Sequence, residues 1–490
     1  MKFNNKNFSK IDPEKIALYG VTENVEISFQ KLLNGVANLE KICNTYNVPE
    51  NSVITISCKG RLHQALYLLC GLNLPYIISP LNPEYKKEEL ERILNHSESK
   101  LVISDQDSFE GITDCTLLVK ADINSLCDKT ATAKTELNIK GELLIYTSGT
   151  TGNPKGVLLS ASQILKNTEV AINSFGYNKD WISASLLPMF HTFTLISDLI
   201  SILRVGGRCI ICPTFNALTS LTIKTILKEK SIKSFSAVPI IFQAINALFQ
   251  LEDMSNLMFA ISGAAPLTEK VRLDFYSKFH AQIVPCYGLS ETTCFATISP
   301  LQEIKPKAVG KPAGIMIKVV NMQCLKEELL PGQVGEIVMK GASVIGSGYF
   351  KDQVHRDSYT LDGYFRTGDL GYFDSDGYLY ISGRKKNMII RGGKKIYLED
   401  VNHCIEELSW VNECVSIAIV QENEEDESIA FIVIQQPEKR SKQDILQHVS
   451  AKLTLLHLPD HIEFIDKIPR TKTGKPRIQQ LKNIMLSNGI

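Results

Sequence analysis

From about residue 50 to residue 310 the chain alternates short apolar runs with helical patterns, and this rhythm restricts its fold more than any other feature. The segments "NSVITIS", "QALYLLCGL", "PYIISPLN" and "YKKEELERILNH" set the pattern. A chain of this kind builds layered α/β units with mostly parallel strands, because each helix crosses from one strand to the next and covers a face of the sheet. "SFSAVP" and "NLMFAISG" are predicted strands, and "LTEKVRLDFYSKFH" a predicted helix with Thr268 as its N-cap.

The texture changes at about residue 311. Up to about residue 385, short strands alternate with Gly, Pro and Asp turns, as in "PGQVGEIVMKG" and "YFDSDGYLYISG", where Asp376-Gly377 is a hairpin signal. This predicts a small antiparallel, barrel-like β subdomain closing a large N-terminal domain, residues 1–385. The rest, 386–490, reads as a small α+β domain: "LEDVNHCIEELSWV" helical, "CVSIAIVQENEEDESIAFIVIQ" two strands around an acidic turn, "SKQDILQHVSAKL" a second helix. The acid cluster Glu422 to Glu427 is a solvated hairpin tip. At about 150 residues per domain, 490 residues accommodate three or so folding units.

Lysine plus arginine and aspartate plus glutamate number 53 each, so no bulk charge attracts nucleic acid or an anionic membrane. The first residues lack the apolar core of a signal peptide, and "ALYLLCGL" at 65–72 falls short of the roughly 20 residues of a membrane span. The expectation is a cytoplasmic protein. Twelve cysteines form no framework, which fits free thiols. Cys209 and Cys212 have the spacing of half a zinc site, but no second pair follows, and their apolar segment suits a buried strand.

"YTSGTTGNPKGV", residues 146–157, follows the predicted strand "ELLIYT". Its glycines let backbone N–H groups approach an anion, Thr147, Ser148, Thr150 and Thr151 add hydroxyls, and Lys155 adds a cation. It is not a Walker loop, in which Ser or Thr follows the lysine; here Gly156 follows. The segment predicts phosphate binding of another kind.

Three further motifs follow: "YGLSETT" at 287–293, "RTGDLGYFDSDGYLYISGRKKNMIIRGGKKI" at 366–396, and "IPRTKTGKPRI" at 468–478. In order and spacing, the four resemble the motifs of the adenylate-forming enzymes: acyl- and aryl-CoA synthetases, peptide synthetase adenylation domains and firefly luciferase. The resemblance runs from about residue 15 to the C-terminus. It implies a ligase of two half-reactions. A carboxylate attacks the α-phosphate of ATP, giving an acyl-adenylate and pyrophosphate; a thiol, CoA or the phosphopantetheine of an acyl carrier protein, then displaces AMP.

By this resemblance Thr147, Ser148, Gly149, Thr150, Thr151, Gly152 and Lys155 hold the β- and γ-phosphates. Glu291 binds Mg²⁺, for which a hard oxygen ligand is apt, and Thr292 bonds the α-phosphate. Adenine lies between Tyr287, with Gly288 after it, and the backbone of Gly263, Ala264 and Ala265. Asp369 and Arg384 match the ribose-binding pair, a carboxylate to accept from the hydroxyls and a guanidinium to donate. Lys475 matches the lysine that reaches the reacting carboxylate, with Lys472 the runner-up. Lys386 falls at the hinge about which the C-terminal domain rotates between half-reactions, and Gly393 lines the pantetheine channel. Leu398, Asp400 and Asn402 depart from the family's Pro and acidic pattern, which bears on the thiolation face.

In "LLPMFHTFT", His191 stands where acyl- and aryl-acid ligases carry a histidine, and no aspartate is there to pair an α-amino group. A lone histidine is equally a pocket gate or a core residue. "FSAVPIIFQAI" and "CFATIS" suit an apolar tail, each buried methylene contributing roughly 0.8 kcal/mol. The expectation is a fatty- or aryl-acid CoA ligase. Its rivals are loading of a carrier protein and, from another class, a nucleotide-binding pseudoenzyme, against which the presence of both Glu291 and Lys475 argues.

Overall fold

The computed structural model describes residues 11–106, 116–129, 136–147, 155–345, 349–351, 358–385, 388–391, 394–408, 410–419, 428–435, 441–470 and 476–487. Its contacts divide the chain into two units, Met1–Met316 with Lys340–Tyr359, and Ile317–Met339 with Thr360–Ile490.

The first unit is built on two sheets. Its strands are β1 (Ile16–Gly20), β2 (Val25–Ser28), β3 (Val53–Ile56), β4 (Ile77–Pro80), β5 (Leu101–Ser104), β6 (Leu117–Lys120), β7 (Glu142–Thr147), β8 (Lys155–Leu159), β9 (Ile182–Ser185), β10 (Arg208–Ile211), β11 (Ser234–Ala237), β12 (Phe259–Ser262), β13 (Gln282–Tyr287), β14 (Thr297–Ile298) and β15 (Lys311–Pro312). One sheet runs β6-β5-β3-β4-β7-β8, parallel except for β8. The other runs β15-β14-β13-β12-β11-β9-β10-β1-β2 and is parallel from β13 to β1. Parallel strands covered on both faces read as continuous apolar runs, and β3, β4 and β5 are buried at every residue.

"QALYLLCGL" lies in the helix Arg61–Leu72, apolar around nearly its whole circumference and buried to match. Thr268 caps the helix Glu269–Phe279, its side chain accepting from Val271 N–H, as its position before the apolar pattern predicts. Ser160 and Gln163 form a capping box at the start of the helix Ala161–Phe175, which stops at Gly176 in the left-handed conformation. Cys209 and Cys212 are buried on and beside β10, and burial pushes the Cys212 thiol up to about 12. Among the described residues no group of three or more His, Cys, Asp or Glu could hold a metal ion. No described helix is long and apolar enough to cross a membrane.

In the nine-stranded sheet the chain passes from β9 to β10 on one side and then to β11 on the other. The order therefore reverses between β9 and β11, and the crevice beyond the carboxyl ends at such a point is where open α/β sheets take their ligands.

The second unit holds β16 (Met316–Val320), β17 (Gly335–Lys340), β18 (Phe365–Phe373) and β19 (Leu379–Arg384) in one four-stranded sheet. Between β18 and β19, Asp374 Oδ1 accepts from Asp376 N–H (2.9 Å) and Tyr378 N–H (2.8 Å), and Gly377 takes φ +79°. Asp376-Gly377 thus lies in the predicted turn. After the hairpin of β20 (Met388–Arg391) and β21 (Lys394–Tyr397) come the helix Leu398–Glu406, the antiparallel pair β22 (Val411–Ile419) and β23 (Ser428–Gln435), and β24 (His461–Phe464), parallel to β23. The helices Leu398–Glu406 and Lys442–Lys452 bury Leu398, Val401, Ile405, Ile445 and Val449 against Trp410 and Ile462.

Candidate active site

Adjacent parallel strands bring the first group of expected site residues together. β12 and β13 pair with Ser262 opposite Pro285, so the segment after Ser262 and the end of β13 emerge side by side. Ala264 has φ +66°, and Ala264 and Ala265 are exposed. Tyr287 is half-buried at the end of β13. Gly288 is required by close approach: a Cβ there would lie 1.6 Å from the carbonyl oxygen of Cys294.

The turn that carries Glu291 is held by buried polar bonds. Asn167, fully buried in its helix, accepts from Phe295 N–H (3.0 Å) and donates to Phe295 O (2.9 Å) and Thr292 O (3.3 Å). Thr293, at φ +68°, donates from its hydroxyl to Ser343 O (2.8 Å). The Thr292 hydroxyl, expected on the α-phosphate, is buried within the turn itself, accepting from Leu289 N–H (2.9 Å) and 3.0 Å from Leu289 O. Glu291 is half-buried.

Thr147 and Lys155 face each other across the end of the β7–β8 hairpin and so form the base of the Gly/Thr loop. Ser148, Gly149, Thr150, Thr151 and Gly152 lie outside the described residues, as do Lys386, Gly393, Lys472 and Lys475. The sequence did not single out Tyr349, which joins the two halves of this site. Its hydroxyl donates to Glu291 Oε1 at 2.8 Å, and the Lys155 ammonium lies 4.8 Å from its ring centroid.

At the reversal point, His191 is half-buried at the N-cap of the helix Thr192–Arg204, its ring against Phe190. Arg61 binds the chain leading to it, donating to the carbonyls of Ser185, Leu186 and Leu187. The middle of this helix, Leu195–Ile200, is wound as a π-helix. That winding carries Asp198, fully buried, whose Oδ1 accepts from Ser236 Oγ at 2.7 Å. Burial pushes the Asp198 carboxyl up to about 7, against the pull of Ser236, Ser197 and Arg61. Neither Arg61 nor Asp198 carries a local signature; only the pairing of β9 with β11 brings Ser236 to Asp198.

In the second unit, Asp369 and Arg384 stand opposite each other on β18 and β19, with Arg384 Nε donating to Asp369 Oδ1 at 2.7 Å. Asp369 is buried and Arg384 half-buried, so the guanidinium holds the carboxylate from its more solvent-facing side. The two departures that can be described have structural reasons. Leu398 is packed in the core of this unit, and Asn402 Oδ1 accepts from Ser416 N–H on β22 at 2.6 Å.

Comparison with known proteins gives the same order of parts. A family model for AMP-binding enzymes matches residues 6–350, and one for the C-terminal domain of AMP-binding enzymes matches residues 400–475. The sulfoacetate–CoA ligase of Cupriavidus necator is 29% identical over 437 residues, 85% of this chain and 83% of that protein. The oxalate–CoA ligase of Arabidopsis thaliana is 25% identical over 96% of this chain and 95% of its own. The crystal structure of ATP-bound MatB from Rhodopseudomonas palustris superimposes with a TM-score of 0.89 at 24% identity, covering 98% of this chain and 99% of that one, and so shares the fold. On the match over most of its length, the chain belongs to the family of AMP-binding enzymes.

Proposed function

We propose that the protein is an AMP-forming acid–thiol ligase that activates a carboxylic acid as its adenylate and transfers the acyl group to CoA. The observation that carries this reading is the line from Lys155 through Tyr349 to Glu291, which brings a phosphate-loop cation to the ring and a carboxylate to the hydroxyl of one tyrosine. A carboxylate and ATP repel each other, so the first half-reaction needs fixed positive charge and donors where the leaving pyrophosphate develops. Lys155 and the hydroxyls of the loop supply them.

The donor set fits Mg²⁺. Among the described residues, Glu291 makes one side-chain hydrogen bond, through Oε1, which leaves Oε2 as a hard anionic oxygen. Bound there, the ion would neutralise negative charge on the phosphates. Tyr287 and the backbone of Gly263–Ala265 flank the adenine, with Gly288 letting the chain turn beneath it. Asp369 accepts from the ribose hydroxyls while Arg384 keeps it oriented. Thr292 shapes the turn that aims Glu291. Lys475 completes adenylation, Lys386 is the hinge and Gly393 clears the pantetheine channel for thiolation. His191, at the reversal point of the sheet, borders the acid pocket.

The relatives act on sulfoacetate and oxalate, small acids with a second anionic group, whereas "FSAVPIIFQAI" and "CFATIS" suit an apolar tail. The test is acid-dependent release of pyrophosphate from ATP across short dicarboxylic, fatty and aryl acids, followed by CoA or a pantetheinylated carrier protein as acceptor. No release with any acid overturns the reading, and transfer to the carrier alone corrects the acceptor. Lys475→Ala should abolish adenylation yet spare thiolation of supplied acyl-adenylate.

A further inference from the structure

Lys155 and Glu291 have opposite charges on neighbouring segments, and among the described residues they form no direct ion pair. Tyr349 stands between them. Its ring holds the ammonium through the π-face, and its hydroxyl holds one carboxylate oxygen. The segment around it is docked on both partners by main-chain bonds. Ile345 N–H donates to Glu291 O at 2.9 Å, and Phe350 N–H donates to Gly156 O, beside Lys155, at 2.7 Å. Gly156 leaves room for this contact, since a Cβ there would lie 3.1 Å from Phe350 Cβ.

We propose that Tyr349 is a positioning residue that keeps Lys155 and Glu291 from neutralising each other, so that the first stays available to phosphate oxygens and the second to a cation. A lysine and a glutamate within side-chain reach form an ion pair that satisfies both, and each then meets its ligand only by breaking that pair. A ring face attracts an ammonium through its quadrupole without offering a charge, so the ammonium remains exchangeable for phosphate. The tyrosine hydroxyl occupies one carboxylate oxygen as a donor and leaves the other open to a cation. The inference rests on the reading of Lys155 as a phosphate ligand, and it adds a residue that no motif marked.

Inorganic pyrophosphate, with metal chelated, probes the phosphate site without the cation, and calorimetry reads its affinity without turnover. Tyr349→Leu should weaken pyrophosphate binding roughly tenfold, the equivalent of one charge-assisted contact, because Lys155 collapses onto Glu291. Adding Glu291→Gln to Tyr349→Leu should restore the affinity to within about twofold of Glu291→Gln alone, since the competing charge is gone. Tyr349→Phe keeps the ring and should bind pyrophosphate like the wild type, while the Mg²⁺ concentration needed for half-maximal adenylation rises about fivefold. Loss of packing alone predicts no rescue by Glu291→Gln. A double variant as weak as Tyr349→Leu therefore overturns the spacer role and leaves the phosphate reading standing. Lys155→Ala that binds pyrophosphate as tightly as the wild type overturns the phosphate reading, and the spacer role with it.

Discussion

Asp198 allows a stability prediction whose sign and size both follow from its surroundings. The carboxyl is fully buried on the π-wound turn of the helix Thr192–Arg204, and burial raises it from 3.8 to about 7. A carboxyl raised on folding binds its proton more tightly in the folded chain than in the unfolded one. Between pH 4 and 7 the folded state therefore carries more protons, and its stability falls as pH rises through that window. Three pKa units at 1.36 kcal/mol each give a ceiling of about 4 kcal/mol for the charged form relative to the neutral one. Asp198→Asn keeps an oxygen to accept from Ser236 and cannot ionise. The variant should match the wild type near pH 3, gain on it as pH rises, and reach a plateau of up to about 4 kcal/mol above pH 7.5. Urea unfolding followed by tryptophan fluorescence measures this directly. Of the two tryptophans, Trp181 belongs to the unit that holds Asp198, so a Trp410→Phe background leaves a reporter on that unit alone. Taking variant minus wild type cancels every other titrating group. A difference that is flat with pH, or that shrinks as pH rises, refutes the buried-charge argument.

Three further outcomes test the site more locally. Gly288→Ala puts a methyl into the Cys294 carbonyl, so the turn before Glu291 must shift; the thermal midpoint should fall, with a loss of about 1–3 kcal/mol, and ATP affinity with it. Asn167→Leu leaves Phe295 N–H and the Phe295 carbonyl without their partner, and denaturant unfolding should register a loss of roughly 2–4 kcal/mol. If Asp369 accepts from the ribose, the wild type should prefer ATP to 2′- or 3′-deoxy-ATP in kcat/KM and Asp369→Asn should lose about tenfold of that preference, whereas a structural role lowers both substrates equally.

How much of this could be read from the sequence depends on the range of the interaction involved. The Thr268 cap, the Asp376-Gly377 turn and the apolar strands β3 and β4 are decided within a few residues, and local chemistry identified them. Glu291, Lys155, Asp369 and Arg384 were named through motifs, but the bonds that hold them were not. Tyr349 lies 58 residues from Glu291, and Asn167 lies 128 from Phe295. Neither pairing has a periodicity, and a mid-helix asparagine reads as an ordinary polar residue until the turn it holds is folded against it. The π winding at Leu195–Ile200 was equally hidden, because the apolar pattern of "LISDLISIL" does not distinguish it from an α-helix.

The long-range bonds share one property that bears on how the site works. Asn167, Ser343, Ile345 and Tyr349 each satisfy a polar group on the 291–295 turn or on Glu291 itself. These bonds hold the turn without a ligand, so little of its geometry has to be ordered when ATP arrives. Two positive-φ residues, Ala264 and Thr293, lie on the two segments that meet here, and their strain persists only where the surroundings over-determine it. An enzyme that brings two anions together gains most from charges fixed before the substrates bind, because fixed charges do not reorganise as the transition state forms. A site whose turn is held by such long-range bonds fits that requirement. It also predicts where tolerance to substitution ends: at the distant residues that hold the turn, before it ends at the exposed surface around them.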